Sequence, residues 1–457
     1  MKLAIIFLAI LATVPLMEWF RRNPRMIPVL WTLLALLPFV QSFVPHFKFA
    51  LVSWADWPGF KNGWPGYATG AELTVMDLVA LITFFALPRS PGALPFRLPM
   101  VFYVVAVTLS VFQAQFTTPA LFYPWQLLRM FFVYVVAYRS CSDPRFIPTL
   151  QNGLAAGLVM EMLVVVWQKK TGTLIQPTGT FVHQNLLGMV SYFIALPMFA
   201  RVLSGYRSRL LIAGIASCAI IVSLTASRGA LGFAAVGFFL VFVLSAMKRW
   251  TSRKAGIALA GVIAVALATP VALFSLSTRF ATTPAYVGAL DERLGFVNAA
   301  SMILASHPMG IGANNFAYFA FTQGYMIRAQ ISAGDLAEIA PQVHNAYWLT
   351  VTETGYVGLI ALVALLLTPL VAAFRRGWRG GDVKYEMALG IAVALLMVYF
   401  HAMFEWVMVS TDFQYFFVLQ IGMLAGLMRQ VGPSRARNPA AVSPAQYSRN
   451  RSRLVSS

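Results

Sequence analysis

The sequence predicts an all-α, polytopic membrane protein, and three observations carry that reading. Of 457 residues, 59% are hydrophobic and 11% charged, and mean hydropathy is +0.73. Apolar runs of about 20 residues recur along the chain, each long enough to cross a ~30 Å hydrocarbon core. The runs are continuous and rich in Leu, Ala, Val and Phe, whereas a β-barrel would show short alternating segments. A net charge of +19 suggests a polyanion partner at first sight. The Lys and Arg residues sit instead in short segments between the runs and in the tail, the distribution that sets membrane topology, so no nucleic-acid partner is expected.

In chain order the runs place spans at 3–18, 26–46, 72–88, 98–116, 121–138, 146–167, 184–200, 209–227, 229–247, 255–274, 345–373, 385–404 and 412–429, about thirteen in all. The first has signal-peptide character, but Glu18-Trp19-Phe20-Arg21-Arg22 follows it without a small-residue cleavage site, so an uncleaved span is expected. The 121–138 run carries Arg129 and the 184–200 run is short, with Pro197 near its end, which leaves either open to a re-entrant reading.

Basic residues mark alternate connections: Arg21, Arg22 and Arg25; Arg89 and Arg97; Arg139 and Arg145; Arg201, Arg207 and Arg209; Lys248, Arg249, Arg253 and Lys254; Arg375, Arg376, Arg379 and Lys384. This set is expected to be cytoplasmic, with the N-terminus outside and the C-terminus inside. The outer segments are then 47–71, 168–183, 275–344 and short turns at 117–120 and 405–411. Segment 47–71 carries Trp54, Trp57, Phe60, Trp64 and Tyr67 and is expected to lie on the outer surface at headgroup level. From about Pro433 the Ser/Pro/Arg-rich tail is expected to be disordered and held near anionic lipid. Cys141 and Cys218 are the only cysteines, and the outer segments contain no Asp-x-Asp or His-x-x-x-His spacing. No disulfide framework, metal or other cofactor is expected.

Costly polar groups concentrate on the outer side. Arg228, in Thr225-Ala226-Ser227-Arg228-Gly229-Ala230, lies between two spans with almost no loop. It either snorkels to headgroups or offers a planar donor fork to phosphate. Arg293 follows Asp291-Glu292, and an ion pair with one of these is the plain alternative to a site role. Gly310-Ile311-Gly312, after Ser306-His307-Pro308, lacks the third glycine and the preceding strand of a dinucleotide fingerprint, and reads as a turn at the bilayer edge. His183 with Asn185, and His344 with Asn345, each open a span from outside, as helix caps or as functional histidines. If His344 begins its helix, Val351, Gly355 and Gly358 share its face, and the glycines admit a closely packed helix. Glu353 falls opposite, as a buried partner for a group on another helix. Glu161 and Glu405 are further boundary carboxylates without an assignable partner.

Two arginines and a histidine without a metal motif suit glycosyl transfer from a polyprenyl-diphosphate donor. The leaving group is already activated, so the protein needs charge stabilisation by Arg and deprotonation of an acceptor hydroxyl. Thr225 to Ala230, Arg293 with the segment His307 to Phe316, and His344-Asn345-Ala346-Tyr347 with Glu353-Thr354-Gly355-Tyr356-Val357-Gly358 together resemble the O-antigen ligase and Wzy-type polymerase superfamily, over about 170–375. The resemblance implies a GT-C-like helical membrane fold of about a dozen spans with a large periplasmic loop, from which the extra first helix departs. It implies a bacterial inner-membrane enzyme whose active site faces the periplasm, an undecaprenyl-diphosphate-linked glycan donor, a glycan or lipid A-core acceptor, and metal independence. It makes Arg228 and Arg293 the diphosphate-binding arginines and His344 the base; His183, Asn185, Asn345 and Glu353 are the remaining residues expected to contact substrate.

The chain then divides into N-terminal helices at 1–168, a ligase/polymerase-like core at 169–375 that includes the loop 275–344, C-terminal helices at 376–430 and a basic tail at 431–457. Phe181-Val182-His183-Gln184-Asn185-Leu186-Leu187-Gly188 is more similar to the His-Lys-Asn motif of exopolysaccharide polymerases, with Gln184 replacing lysine. Polymerisation of O-antigen or exopolysaccharide repeats is therefore the expected reaction, with ligation to lipid A-core or to protein hydroxyls as the alternative. Partners for chain-length control or export are compatible with it. A transporter of the same lipid-linked glycan should carry mid-membrane charges on both sides of a central site and repeated halves, and neither is visible.

Overall fold

The computed structural model describes residues 2–41, 43–44, 48–53, 63–88, 92–172, 174, 176–282, 286–331 and 342–429. Each predicted apolar run holds a helix: α1 (Lys2–Arg22), α2 (Ile27–Val40), α3 (Val75–Ala86), α4 (Arg97–Ser110), α5 (Thr117–Ser140), α6 (Phe146–Lys170), α7 (Gln184–Leu203), α8 (Arg209–Leu224), α9 (Arg228–Lys248) and α10 (Ser252–Thr282). After the long connection come α14 (Ala346–Trp378), α15 (Val383–His401) and α16 (Thr411–Arg429). The chain is an all-α polytopic membrane protein.

The count of full crossings differs from the thirteen expected. Seven described helices are long and apolar enough to cross a membrane, namely α5, α6, α7, α9, α10 through Ser275, α14 and α15. The pair Leu11–Arg22 and Pro24–Val40 would make an eighth as one span, but it is bent by 104°. The break therefore lies between α1 and α2, and the 121–138 and 184–200 runs are each one helix. α3 is short because Thr74 stops it: its hydroxyl accepts the Asp77 N–H while the Asp77 carboxylate accepts the Thr74 N–H, a reciprocal cap.

Two expected outer loops are structured. Segment 47–71 contains most of an antiparallel hairpin, β1 (Lys48–Ser53) with β2 (Gly70–Thr74). Trp64 is 3% exposed, stacks on Tyr318 and donates its indole N–H to the Asn314 carbonyl at 2.9 Å, so it packs inward and does not lie at the headgroup surface. Trp54, Trp57, Phe60, Arg89 and the tail from Pro433 lie outside the described residues. Within 275–344 the chain forms α11 (Tyr286–Ser306), α12 (Phe316–Thr322) and α13 (Tyr325–Arg328). The apolar residues Phe296, Ala299, Ala300 and Ile303 recur at helical spacing and are buried, which docks α11 on α14.

α7 sits at the centre, almost wholly buried among α8, α9 and α15. Arg129 of α5 is neutralised in the interior by Asp77 of α3 at 2.7 Å and also donates to the Tyr415 hydroxyl, the pairing a buried guanidinium requires. Arg139 donates to the carbonyls of Leu87 and Pro88, bringing two of the basic connections together. α7, α9 and α14 begin, and α15 ends, at the opposite end of the bundle, where the candidate site lies.

Candidate functional site

The site centres on Glu405, in the turn between α15 and α16. Its carboxylate is buried, with 4% side-chain exposure, and gathers three groups from three elements. Arg293 of α11 donates to Oε1 at 3.0 Å, and Asn185 in the first turn of α7 donates its amide to the same oxygen. Nδ1 of His344, immediately before the α14 cap, lies 3.4 Å from Oε2. Burial pushes the Glu405 pKa up, but the hydrogen bond with His344 and the positive fields of His344, Arg293 and His183 outweigh it and hold the carboxyl below its ordinary value. The ion pair expected between Arg293 and Asp291 or Glu292 rests on side chains outside the described set; Glu405 is the partner found.

Local chain chemistry explains the placement. Asn345 is the N-cap of α14, its side-chain oxygen accepting the N–H groups of Tyr347 and Trp348, and this holds His344 just outside the helix. The first α14 amide, on Ala346, donates to the Ala402 carbonyl at 2.8 Å, tying the His344 segment to the turn that carries Glu405. His183 caps α7, its Nδ1 accepting the Asn185 N–H at 3.1 Å. Arg228 is the exposed first residue of α9, within electrostatic reach of Arg293, and Ser227 is the cap. Side-chain exposure of 28% for His344 and 41% for Arg293, against 4% for Glu405, separates groups that can meet a ligand from the one that holds them.

His401, the last residue of α15, belongs to the same neighbourhood. It is 2% exposed, pairs Nδ1 with the Tyr192 hydroxyl at 3.0 Å and stacks on Phe233. A Cβ at Gly229, beside Arg228, would lie 2.8 Å from its Nε2, so the start of α9 fits against this imidazole only as glycine. Sequence reasoning missed Glu405 as the hub and His401 altogether. The only sequence signal was polarity at a span boundary, because partners more than 60 residues away leave no spacing pattern.

Glu353 stands apart. It is 1% exposed and lies about 12 Å along α14 from Asn345, at 1.5 Å per residue. Its oxygens accept the N–H groups of Asn314 at 2.9 Å and Phe316 at 3.0 Å and the Tyr67 hydroxyl at 2.6 Å. It is a buried partner, as the helix phase implied, for the first amide of α12, on Phe316, and for the connecting segments that carry Asn314 and Tyr67. α14 is also broken: Gly355 has φ 67° and ψ −174°. The break frees carbonyls that the 310–312 turn takes up, the Ile311 N–H donating to Thr352 at 3.1 Å and the Gly312 N–H to Glu353 at 2.8 Å. A Cβ on Gly355 would meet the Met309 carbonyl carbon at 2.6 Å. The glycine therefore admits a loop, where the sequence suggested a second helix beneath His344. Gly358 abuts its own Thr354.

A small apolar cavity of about 60 Å³ lies beside the start of α14. Met100, Leu127, Ala346, Leu365, Phe413 and Phe417 contribute to its wall, and Val104, Phe131 and Met408 are half-buried at it. Ala346 is two residues from His344, which limits their separation to about 7 Å.

Among known families, the model described as O-Antigen ligase matches residues 213–363. The matched stretch contains Arg228, Arg293, His344, Asn345 and Glu353 and stops short of His401 and Glu405. No curated protein matches the chain.

Proposed function

We propose, from the O-antigen ligase family domain that this chain carries at 213–363, that it transfers a glycan from an undecaprenyl-diphosphate donor to an acceptor hydroxyl at the periplasmic face of a bacterial inner membrane. The observation that carries the reading is the Glu405 carboxylate joined to Arg293, His344 and Asn185. Arg228 and Arg293 present two guanidinium groups at one mouth, suited to the two phosphates of the donor. In the transfer, the acceptor oxygen bonds to the anomeric carbon, the bond from that carbon to the diphosphate oxygen breaks, and the hydroxyl proton passes to His344. With Nδ1 turned to Glu405, Nε2 is the free basic atom, and the carboxylate both orients the ring and offsets the charge it gains.

Within this class the chain is read as a polymerase of O-antigen or exopolysaccharide repeats. His183 and Asn185, the residues of the polymerase-like segment, sit at Glu405, where an acceptor sugar would approach the base. Ligation to lipid A-core is the second reading, favoured by the matched family's own description. The two separate by product. A deletion strain of a polymerase accumulates single undecaprenyl-linked repeats and makes no long polymer; long chains retained on undecaprenyl in that strain would establish the ligase.

A further inference from the structure

The four helices that meet at the Glu405 site carry a second polar cluster at their other ends. Lys248 closes α9, Arg376 lies near the end of α14, Arg201 near the end of α7, and Glu386 in the first turn of α15. Along α9, Arg228 and Lys248 are 20 residues apart, about 30 Å at 1.5 Å per residue and so about one bilayer core. Lys248 pairs with Glu386 at 3.2 Å and donates to the Gly377 carbonyl at 2.6 Å; Lys254, 3% exposed, donates to the carbonyls of Ser245 and Arg249.

Charge and hydrogen bonding do not balance here. Arg376 is 4% exposed, its guanidinium lies over the Tyr385 ring, and its Nε and Nη2 have no hydrogen-bond partner among the described residues. Arg201 is 5% exposed, and its Nε is likewise unpartnered. Glu386 is the sole carboxylate paired with this group among the described residues, and it is committed to Lys248 through one oxygen. Buried cations in excess of buried carboxylates call for an anion. Trp250 and Trp378, at the adjoining helix ends, are 60% and 47% exposed and mark the level at which headgroups lie.

We infer that Arg376, with Lys248 and Lys254 beside it, forms a binding site for the phosphate of an anionic phospholipid headgroup, at the membrane face opposite the transfer site. The shared chemistry is a phosphate oxygen accepting from a guanidinium fork, and the Trp level selects a lipid over free phosphate. The site is independent of the proposed transferase reaction.

The full-length protein, purified and stripped of lipid in a neutral detergent, is titrated with phosphatidylglycerol, phosphatidylcholine and inorganic phosphate, reading thermal midpoint and lipid occupancy by native mass spectrometry. Phosphatidylglycerol is expected to raise the midpoint and to bind at least about tenfold tighter than phosphatidylcholine, the size of one charge-assisted contact. Arg376→Gln is expected to remove that preference. Glu386→Gln, which takes away the internal counter-charge, is expected to strengthen it, so the two variants move in opposite directions even where both lower the baseline midpoint. Equal binding of the two lipids, or an unchanged preference in Arg376→Gln, overturns the site. The full shift from inorganic phosphate alone overturns the lipid assignment.

Discussion

At the scale of single residues, the roles divide by exposure. His344 and Arg293 can meet a ligand, and Glu405 beneath them cannot. Loss of a general base typically lowers rate by ~10² to 10⁴, so His344→Ala and His344→Gln are expected to abolish detectable transfer while retaining donor binding. His183→Gln, which removes a cap contact, is expected to leave measurable transfer. Near-normal product from reconstituted His344→Gln would make His344 structural. Glu405 yields a pH test. Its folded pKa is depressed, so its ionised form contributes stability that is fully present above the ordinary glutamate value of ~4.3 and lost as pH falls through the lower folded value. The thermal midpoint of the wild type relative to Glu405→Gln is therefore expected to hold steady from pH 7 to about 5 and to fall on further acidification. A difference independent of pH down to 3 would refute the ionic role. The sequence displayed His344, Arg293 and Arg228 through local motifs, whereas Glu405 stays silent because its partners arrive from α7, α11 and the start of α14.

At the scale of elements, periodicity revealed where helices run but not where they break. The run 345–373 reads as one span because a lone glycine such as Gly355 does not by itself interrupt a helical pattern. What breaks it is tertiary: the 310–312 turn supplies N–H donors to the carbonyls that the break releases. The segments 47–71 and 275–344 read as loops for a related reason: α11 buries apolar residues against α14, and Trp64 and Ala68 pack on Asn314 and Tyr318, so neither segment shows a long lipid-facing run. Gly355→Ala places a side chain at a positive φ with extended ψ, a conformation essentially reserved to glycine, at a cost of about 1–3 kcal/mol, and sets its Cβ against the Met309 backbone as well. We expect lower thermal stability and a loss of transfer larger than that of Gly381→Ala, which faces open space. Equal midpoints for the two variants would show that the break at 355 bears no load.

At the scale of the whole molecule, the charge pattern and the fold agree on which helix ends lie together, and sidedness follows if the basic ends face the cytoplasm. The Glu405 site is then external. Val182, next to the α7 cap, is 79% exposed at the site end, and Gly381 is exposed between α14 and α15 at the basic end. Native Cys141 and Cys218 are both buried, which keeps background labelling low. In cells with a permeabilised outer membrane, Val182→Cys is expected to react with a membrane-impermeant thiol reagent and Gly381→Cys to react only after lysis. The reverse pattern would place His344, Arg293 and Arg228 on the cytoplasmic side. A lipid-linked donor presented to the periplasm could not reach them there, so the orientation and the proposed reaction would fall together.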